Sequence, residues 1–344
     1  MSLRLPKKPK YPFAVLEFGK TREVAPDIFW LRMPLPFALN HINLWLLKDR
    51  DGWTLVDTGF NTDETKDYWT SYIEELLDGK EINRIIVTHF HPDHVSLAGW
   101  LLKRFEASIW MTYSEWMQAQ LNRFGGPTAD IDARMTFYRS HGMTQNSVDG
   151  YRAKRPDFAK IITPLPHHFV RIMDGDVIKI NGDDWKVITG AGHSPEHAAL
   201  WCEERNLLIS GDQVLPRIST NVSVQSNEPE ADPLGLYLSS LSKFKKVQED
   251  ALVLPSHDRP FYGLHDRIDG LKEHHDDRLK AAYQACAQPT TGTEMIPAIF
   301  NRELDEHQLG FALGEALAHA NRLVFEGRLS KELCDDGCIR YSQL

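Results

Sequence analysis

Short apolar runs, each closed by polar or turn-forming residues, recur along the first three quarters of the chain. Runs rich in β-branched and aromatic residues predict strands over Ile28–Leu35, Ile42–Leu47, Trp53–Val56, Arg84–Thr88 and Ser108–Thr112. Further strands are expected near Val177–Ile180, Trp185–Ile188, Ala198–Trp201, Asn206–Ile209 and Leu252–Leu254. Between them, Thr65–Leu77 reads as a helix ending near Gly79, and Val95–Phe105 as a second. Asp232-Pro233 opens a helix, with proline suited to its first position and Leu236, Leu238, Leu241 and Phe244 on a half-buried face. Beyond residue 263 the pattern turns helical. Leu264–Ala287 is one long helix. Asp305 is placed to cap a region whose stripe of Phe311, Leu313, Leu317, Leu323 and Val324 runs to Gly327. Leu329–Leu333 and Ile339–Tyr341 flank Asp335-Asp336-Gly337, a hairpin signal. No internal repeat or low-complexity tract interrupts this order.

The strand Arg84–Thr88 runs into His89-Phe90-His91-Pro92-Asp93-His94. Three imidazoles and a carboxylate packed past a strand end are costly unless something binds them, and a divalent metal suits both donor types. One zinc needs three protein ligands and a water. Four donors in one run therefore point to two metals. More ligands should then follow other strands. His193 sits in the glycine-rich turn 189–197, Asp212 ends the strand 207–211, and His257 ends the strand that begins at Leu252.

With these residues in view, the chain from about Ile28 to His257 resembles the metallo-β-lactamase fold superfamily, whose His-x-His-x-Asp-His motif is complete at residues 89–94. The resemblance implies an α+β, four-layer αββα sandwich with a helical cap insertion. It implies that His89, His91 and His193 hold one metal, that Asp93, His94 and His257 hold the second, and that Asp212 bridges them. Asp57 would support a ligand from behind. A plain turn role before Gly59 competes with that reading. Asp93 would also orient the nucleophile and move its proton. The implied activity is a hydrolase using a metal-bridging hydroxide. The turn at His193 is similar to that of the glyoxalase II branch, which favours an acyl thioester, ester or lactone. A phosphodiesterase or ribonuclease of the same fold and a non-catalytic, metal-stabilised ligand-binding protein are the alternatives. Two divalent ions are implied, with zinc as the default and manganese or iron tolerated.

The expected domains are a catalytic domain over 1–262, carrying the cap at 113–168, and a C-terminal domain over 263–344 whose helices and hairpin resemble a winged helix. Trp116, Met117, Phe124, Met135, Phe137, Tyr138, Met143 and Tyr151 give the cap either an apolar wall or its own packing. The run Tyr151–Arg155 is basic: it either meets an anionic handle such as a carboxylate or phosphate or, as such runs more often are, is simply solvated. In the last helix Glu315, His319, Arg322 and Glu326 form a mixed face unlike a phosphate-binding surface, and suit packing against the catalytic domain or a homodimer partner. His197 is expected only to pack or hydrogen bond, and His167-His168 and His274-His275 to face solvent.

The chain's 39 Lys and Arg against 48 Asp and Glu give a formal charge of −9, which disfavours nucleic acid as partner. No apolar run of membrane-spanning length occurs, and the basic N-terminus lacks a signal-peptide core. Four cysteines form no disulfide framework. Cys334 and Cys338 have the spacing of a metal pair without a second pair, so reduced thiols in the cytoplasm are expected.

Overall fold

The structure is a computed structural model that describes residues 9–125, 131–154, 157–300, 304 and 306–344. The basic N-terminal residues Met1–Lys8, Arg155 and the proposed cap Asp305 lie outside the described residues.

Strands β1 (Thr21–Ala25), β2 (Ile28–Pro34), β3 (His41–Asp49) and β4 (Gly52–Val56) lead to helix α1 (Asp63–Glu75). Then come β5 (Ile82–Ile86), α2 (Pro92–Val95), α3 (Ala98–Phe105), β6 (Ser108–Met111) and helices α4 (Tyr113–Arg123), α5 (Ile131–Ser140), α6 (Gln145–Lys154) and α7 (Phe158–Ile161). Next are β7 (Val170–Arg171), β8 (Val177–Ile180), β9 (Asp183–Gly190), β10 (His197–Cys202), β11 (Leu207–Gly211), α8 (Pro233–Phe244), β12 (Leu252–Pro255) and α9 (Leu264–Ala285). The chain ends with β13 (Thr290–Thr291), α10 (Gly292–Ile299), α11 (Glu306–Phe325), β14 (Leu329–Leu333) and β15 (Ile339–Gln343).

Two compact units result. The first comprises 1–126, 157–220 and 241–268, and the second 127–156, 221–240 and 269–344. In the first, a seven-stranded sheet in the order β1 to β7 faces a five-stranded sheet in the order β12-β11-β10-β9-β8. Trp30, Trp45, Val56 and Ile86 from one sheet and Trp185, Val187, Leu200 and Ile209 from the other form the core between them. The outer face of the larger sheet is covered by α1, α3 and α4, through Trp69, Leu101, Phe105 and Trp116 packed on Leu44, Leu55 and Ile85. Each such buried side chain contributes roughly 1.5–3 kcal/mol. Lys243 of α8 lies over the other sheet, donating to the Thr189 carbonyl at 3.0 Å. This is the expected αββα order.

In the second unit, β13-β15-β14 form a three-stranded sheet beside α10 and α11. Thr291 and Glu294 close a capping box at the start of α10. The β14–β15 hairpin turns at Gly337, whose φ is +78°, as its sequence indicated. Met135, Tyr138 and Met143 are buried. Tyr138 meets Tyr151 edge-on at 4.9 Å between ring centroids, so these aromatics pack their own unit.

Four expectations fail in detail. The helix expected over Val95–Phe105 is broken into α2 and α3. Leu236 is exposed, and the buried stripe of α8 is Leu234, Tyr237, Leu241 and Phe244. His275 is fully buried rather than solvent-facing. Glu315 and His319 are buried too, so α11 has no mixed surface face there: Glu315 pairs with Arg278, and His319 Nε2 lies 3.2 Å from His275 Nδ1. The short strands β1, β7 and β13 and helix α10 had no clear signal. Among the described residues, no helix is long and apolar enough to cross a membrane.

Candidate metal centre

The candidate ligands follow strand ends, in loops or, for Asp93 and His94, in the short helix α2. His89 follows β5, and His91 is the N-cap of α2 with Pro92 at the first helical position, which turns Asp93 and His94 back toward His89. His193 lies in the loop joining β9 and β10. Asp212 follows β11, where Gly211 (φ +54°) lets the backbone pass close to the His197 ring. His257 follows β12.

The seven side chains converge as three overlapping groups: His89, His91 and His193; His89, His94 and Asp212; and Asp93, His94 and His257. His89 Nε2 is 2.9 Å from His91 Nδ1 and 3.2 Å from His193 Nε2. His94 Nε2 is 3.5 Å from Asp93 Oδ2 and 3.7 Å from Asp212 Oδ1. His257 Nε2 is 3.6 Å from Asp93 Oδ2 and 3.3 Å from Asp212 Oδ1, while Asp212 Oδ2 faces His193 Nε2 at 3.4 Å. Thus Asp212 turns Oδ2 toward His193 and Oδ1 toward His94 and His257.

The network behind the cluster sets the tautomers. Asp57 Oδ1 accepts the Thr88 N–H at 2.8 Å, and Thr88 donates its hydroxyl to the same carboxylate. His94 Nδ1–H donates to Asp57 Oδ2 at 2.8 Å, which aims Nε2 into the cluster. His89 Nδ1 donates to the Thr88 hydroxyl at 3.0 Å, and His257 Nδ1 donates to the His41 carbonyl at 2.8 Å. His197 Nε2 accepts the Asp212 N–H at 3.0 Å, the hydrogen-bonding role expected of it. Asp57 has φ +61°, so it is both a turn residue and a partner of His94.

Electrostatics follows burial and charge. Burial, then neighbouring imidazoles, hold His89 and His91 well below the usual histidine range, leaving them neutral donors. Burial pulls His94 down as well, but Asp93, Asp57 and Asp212 together outweigh it and hold the imidazole up to about 10. Burial raises the Asp212 carboxyl, yet His257 and His94 prevail and keep it ionised.

These residues fit a metal. Two donors about 2.1 Å from a tetrahedral zinc stand about 3.4 Å apart, close to the spacings above. His94 Nε2 and Asp212 Oδ1 are buried without a hydrogen bond, an arrangement that costs free energy unless a cation takes both atoms, displacing the Nε2 proton. Cys334 and Cys338 join no such group among the described residues. His167 and His168 are exposed.

Three supporting residues escaped sequence reasoning. Glu115 of α4 is buried and accepts the Phe90 N–H, the Ser194 hydroxyl and the Glu196 N–H, at 2.9, 2.6 and 2.7 Å, so it joins the loops of His91 and His193. Asn43 donates to the Pro255 and Asp258 carbonyls, and fixes the turn carrying His257. Thr88 looked like an ordinary strand residue.

A model of the metallo-beta-lactamase superfamily matches residues 39–257, and a model of the metallo-beta-lactamase-like C-terminal domain matches 279–344. The chain belongs to the metallo-beta-lactamase superfamily. It is a hydrolase of that superfamily. It is similar to a probable metallo-hydrolase, YqjP, of Bacillus subtilis (strain 168), with 24% identity covering 81% of this chain and 88% of the relative. A human acyl-coenzyme A thioesterase, MBLAC2, is 22% identical over 58% of this chain and 68% of its own length. A crystal structure of a beta-lactamase domain protein from Burkholderia ambifaria superposes with a TM-score of 0.91 at 45% identity, covering 98% of both chains.

Proposed function

We propose that this protein is a dinuclear metal-dependent hydrolase of acyl thioesters or related esters and lactones. The observation that carries the reading is Asp212, which presents one oxygen to the His193 side and the other to His94 and His257. In this reading His89, His91 and His193 hold one ion, Asp93, His94 and His257 hold the other, and Asp212 serves both. What bound cations supply is a water ionisable near neutral pH, its pKa brought from about 15.7 toward about 7, and a polarised substrate carbonyl. Zinc suits this donor set, and manganese or iron suits its oxygen-richer half. Asp57 and the His41 carbonyl orient His94 and His257 through their Nδ1–H groups. Asp93 turns Oδ2 to His94 and His257. Its Oδ1 makes none of those contacts, and is the atom assigned to accept the proton of the attacking water. The thioesterase among the relatives supports an acyl substrate.

The test is elemental analysis together with turnover of a panel of acyl-coenzyme A, acyl-glutathione and lactone substrates. Two ions per chain and chelator-sensitive hydrolysis of at least one class are expected, with Asp212→Ala losing metal and activity together. A fully metallated protein inert toward every class would defeat the hydrolytic assignment, and a single ion per chain would defeat the dinuclear one.

A further inference from the structure

A cavity of about 250 Å³ opens beside His257, and its composition runs against the chain's acidic balance. Arg32, Arg217 and Arg259 line it together with Asp258, three cations and one anion, a formal charge of 3 − 1 = +2. His41 turns its Nε2 to the Asp258 N–H as an acceptor at 2.7 Å, and is not counted as a cation. Asp258 stands between two of the arginines, 3.5 Å from Arg217 Nε and 3.4 Å from Arg259 Nε. The Arg217 side chain is 72% exposed, so that pair adds little to folding stability. Val15, Leu39 and Ile218 add apolar lining, and all three are exposed.

We propose that this cavity seats an anionic group, a phosphate or a carboxylate, on the non-reacting end of the substrate. The apolar lining receives the chain that links this group to the reacting carbonyl. Guanidinium groups match both oxyanions by paired N–H donation, and a cationic recess in an acidic protein concentrates anions. His257 lines the same cavity, so an anion held there would put the attached acyl group next to the proposed metal centre. The substrate identity rests on the hydrolase reading, whereas the binding of the anion does not.

Isothermal titration with S-methyl-coenzyme A and S-methylglutathione separates the two sources, since the capped sulfur is a poor metal ligand. One of them should bind the wild-type protein. Arg217→Gln should then weaken Kd about tenfold or more, as expected for losing a charge-assisted contact, and Arg217→Glu should weaken it further. Arg104→Gln, an exposed charge on α3, should leave Kd unchanged. Response to the coenzyme A ether assigns a phosphate, and response to the glutathione ether a carboxylate. Failure of both to bind, or binding indifferent to both Arg217 variants, overturns the proposal. Arg217-dependent binding by a metallated protein that turns over no thioester, ester or lactone would uphold the cavity and reject the hydrolytic reading.

Discussion

Asp57 gathers three donors on one carboxylate: the Thr88 amide, the Thr88 hydroxyl and His94 Nδ1–H. Asparagine tolerates the left-handed φ of +61° at least as well as aspartate, so Asp57→Asn keeps the turn. It supplies only one acceptor oxygen, and its NH₂ must face a donor. On the proposed ligand assignment, metal affinity should fall about 10- to 100-fold. Competition with a chromophoric chelator measures this, and unchanged affinity would detach Asp57 from the site. The proposed ligands were readable because all are imidazoles or carboxylates gathered after apolar runs. Glu115 was not, since a single acid in the amphipathic helix α4 looks like any solvated residue. His275 and His319 escaped for the same reason: helical spacing identifies neighbours on a face without saying which face turns inward.

At the scale of elements, the break between α2 and α3 shows where local pattern yields to tertiary contacts. The Ser96 carbonyl, which would accept the Trp100 amide in an unbroken helix, instead accepts from the Thr163 amide at 2.8 Å and its hydroxyl at 2.6 Å. The Trp100 amide donates to Thr163 Oγ1. The partner lies more than sixty residues away, so nothing near Val95 announces it. Gly99 follows from the same approach. A Cβ there would stand 2.1 Å from the Pro164 carbonyl oxygen, a backbone atom that cannot swing aside. In an open helix Gly99→Ala would gain about 1 kcal/mol of propensity. Here overpacking of about 1–3 kcal/mol should outweigh that gain. A lowered melting temperature is the expected result, and a raised one would mean that the 163–164 segment yields easily.

At the scale of the molecule, the αββα order was legible because buried strands write themselves as apolar runs. The short strands β7 and β13 did not, having two residues each and no periodicity to detect. The second unit carries a pH dependence of its own. Burial holds His319 down to about 4, with Arg278 and His274 adding to it and the Glu315 carbonyl opposing. Burial, then Lys331, holds His141 at about 4. Both rings are neutral when folded and bind protons near pH 6.5 when unfolded. The unfolded chain therefore takes up more protons below pH 6.5, and stability present above that value is lost as pH falls toward 4. Each pH unit between folded and unfolded values is worth about 1.4 kcal/mol, so each histidine contributes roughly 3 kcal/mol across the window. All nine tryptophans lie in the first unit, so their fluorescence reports on that unit. Peptide-resolved hydrogen exchange across α11 reports on the second. Protection there should decline from pH 6.5 to 4, and His319→Gln, which keeps an acceptor for His275, should make the decline shallower. Protection that holds to pH 4 in the wild type would mean that these two rings are protonated in place without cost.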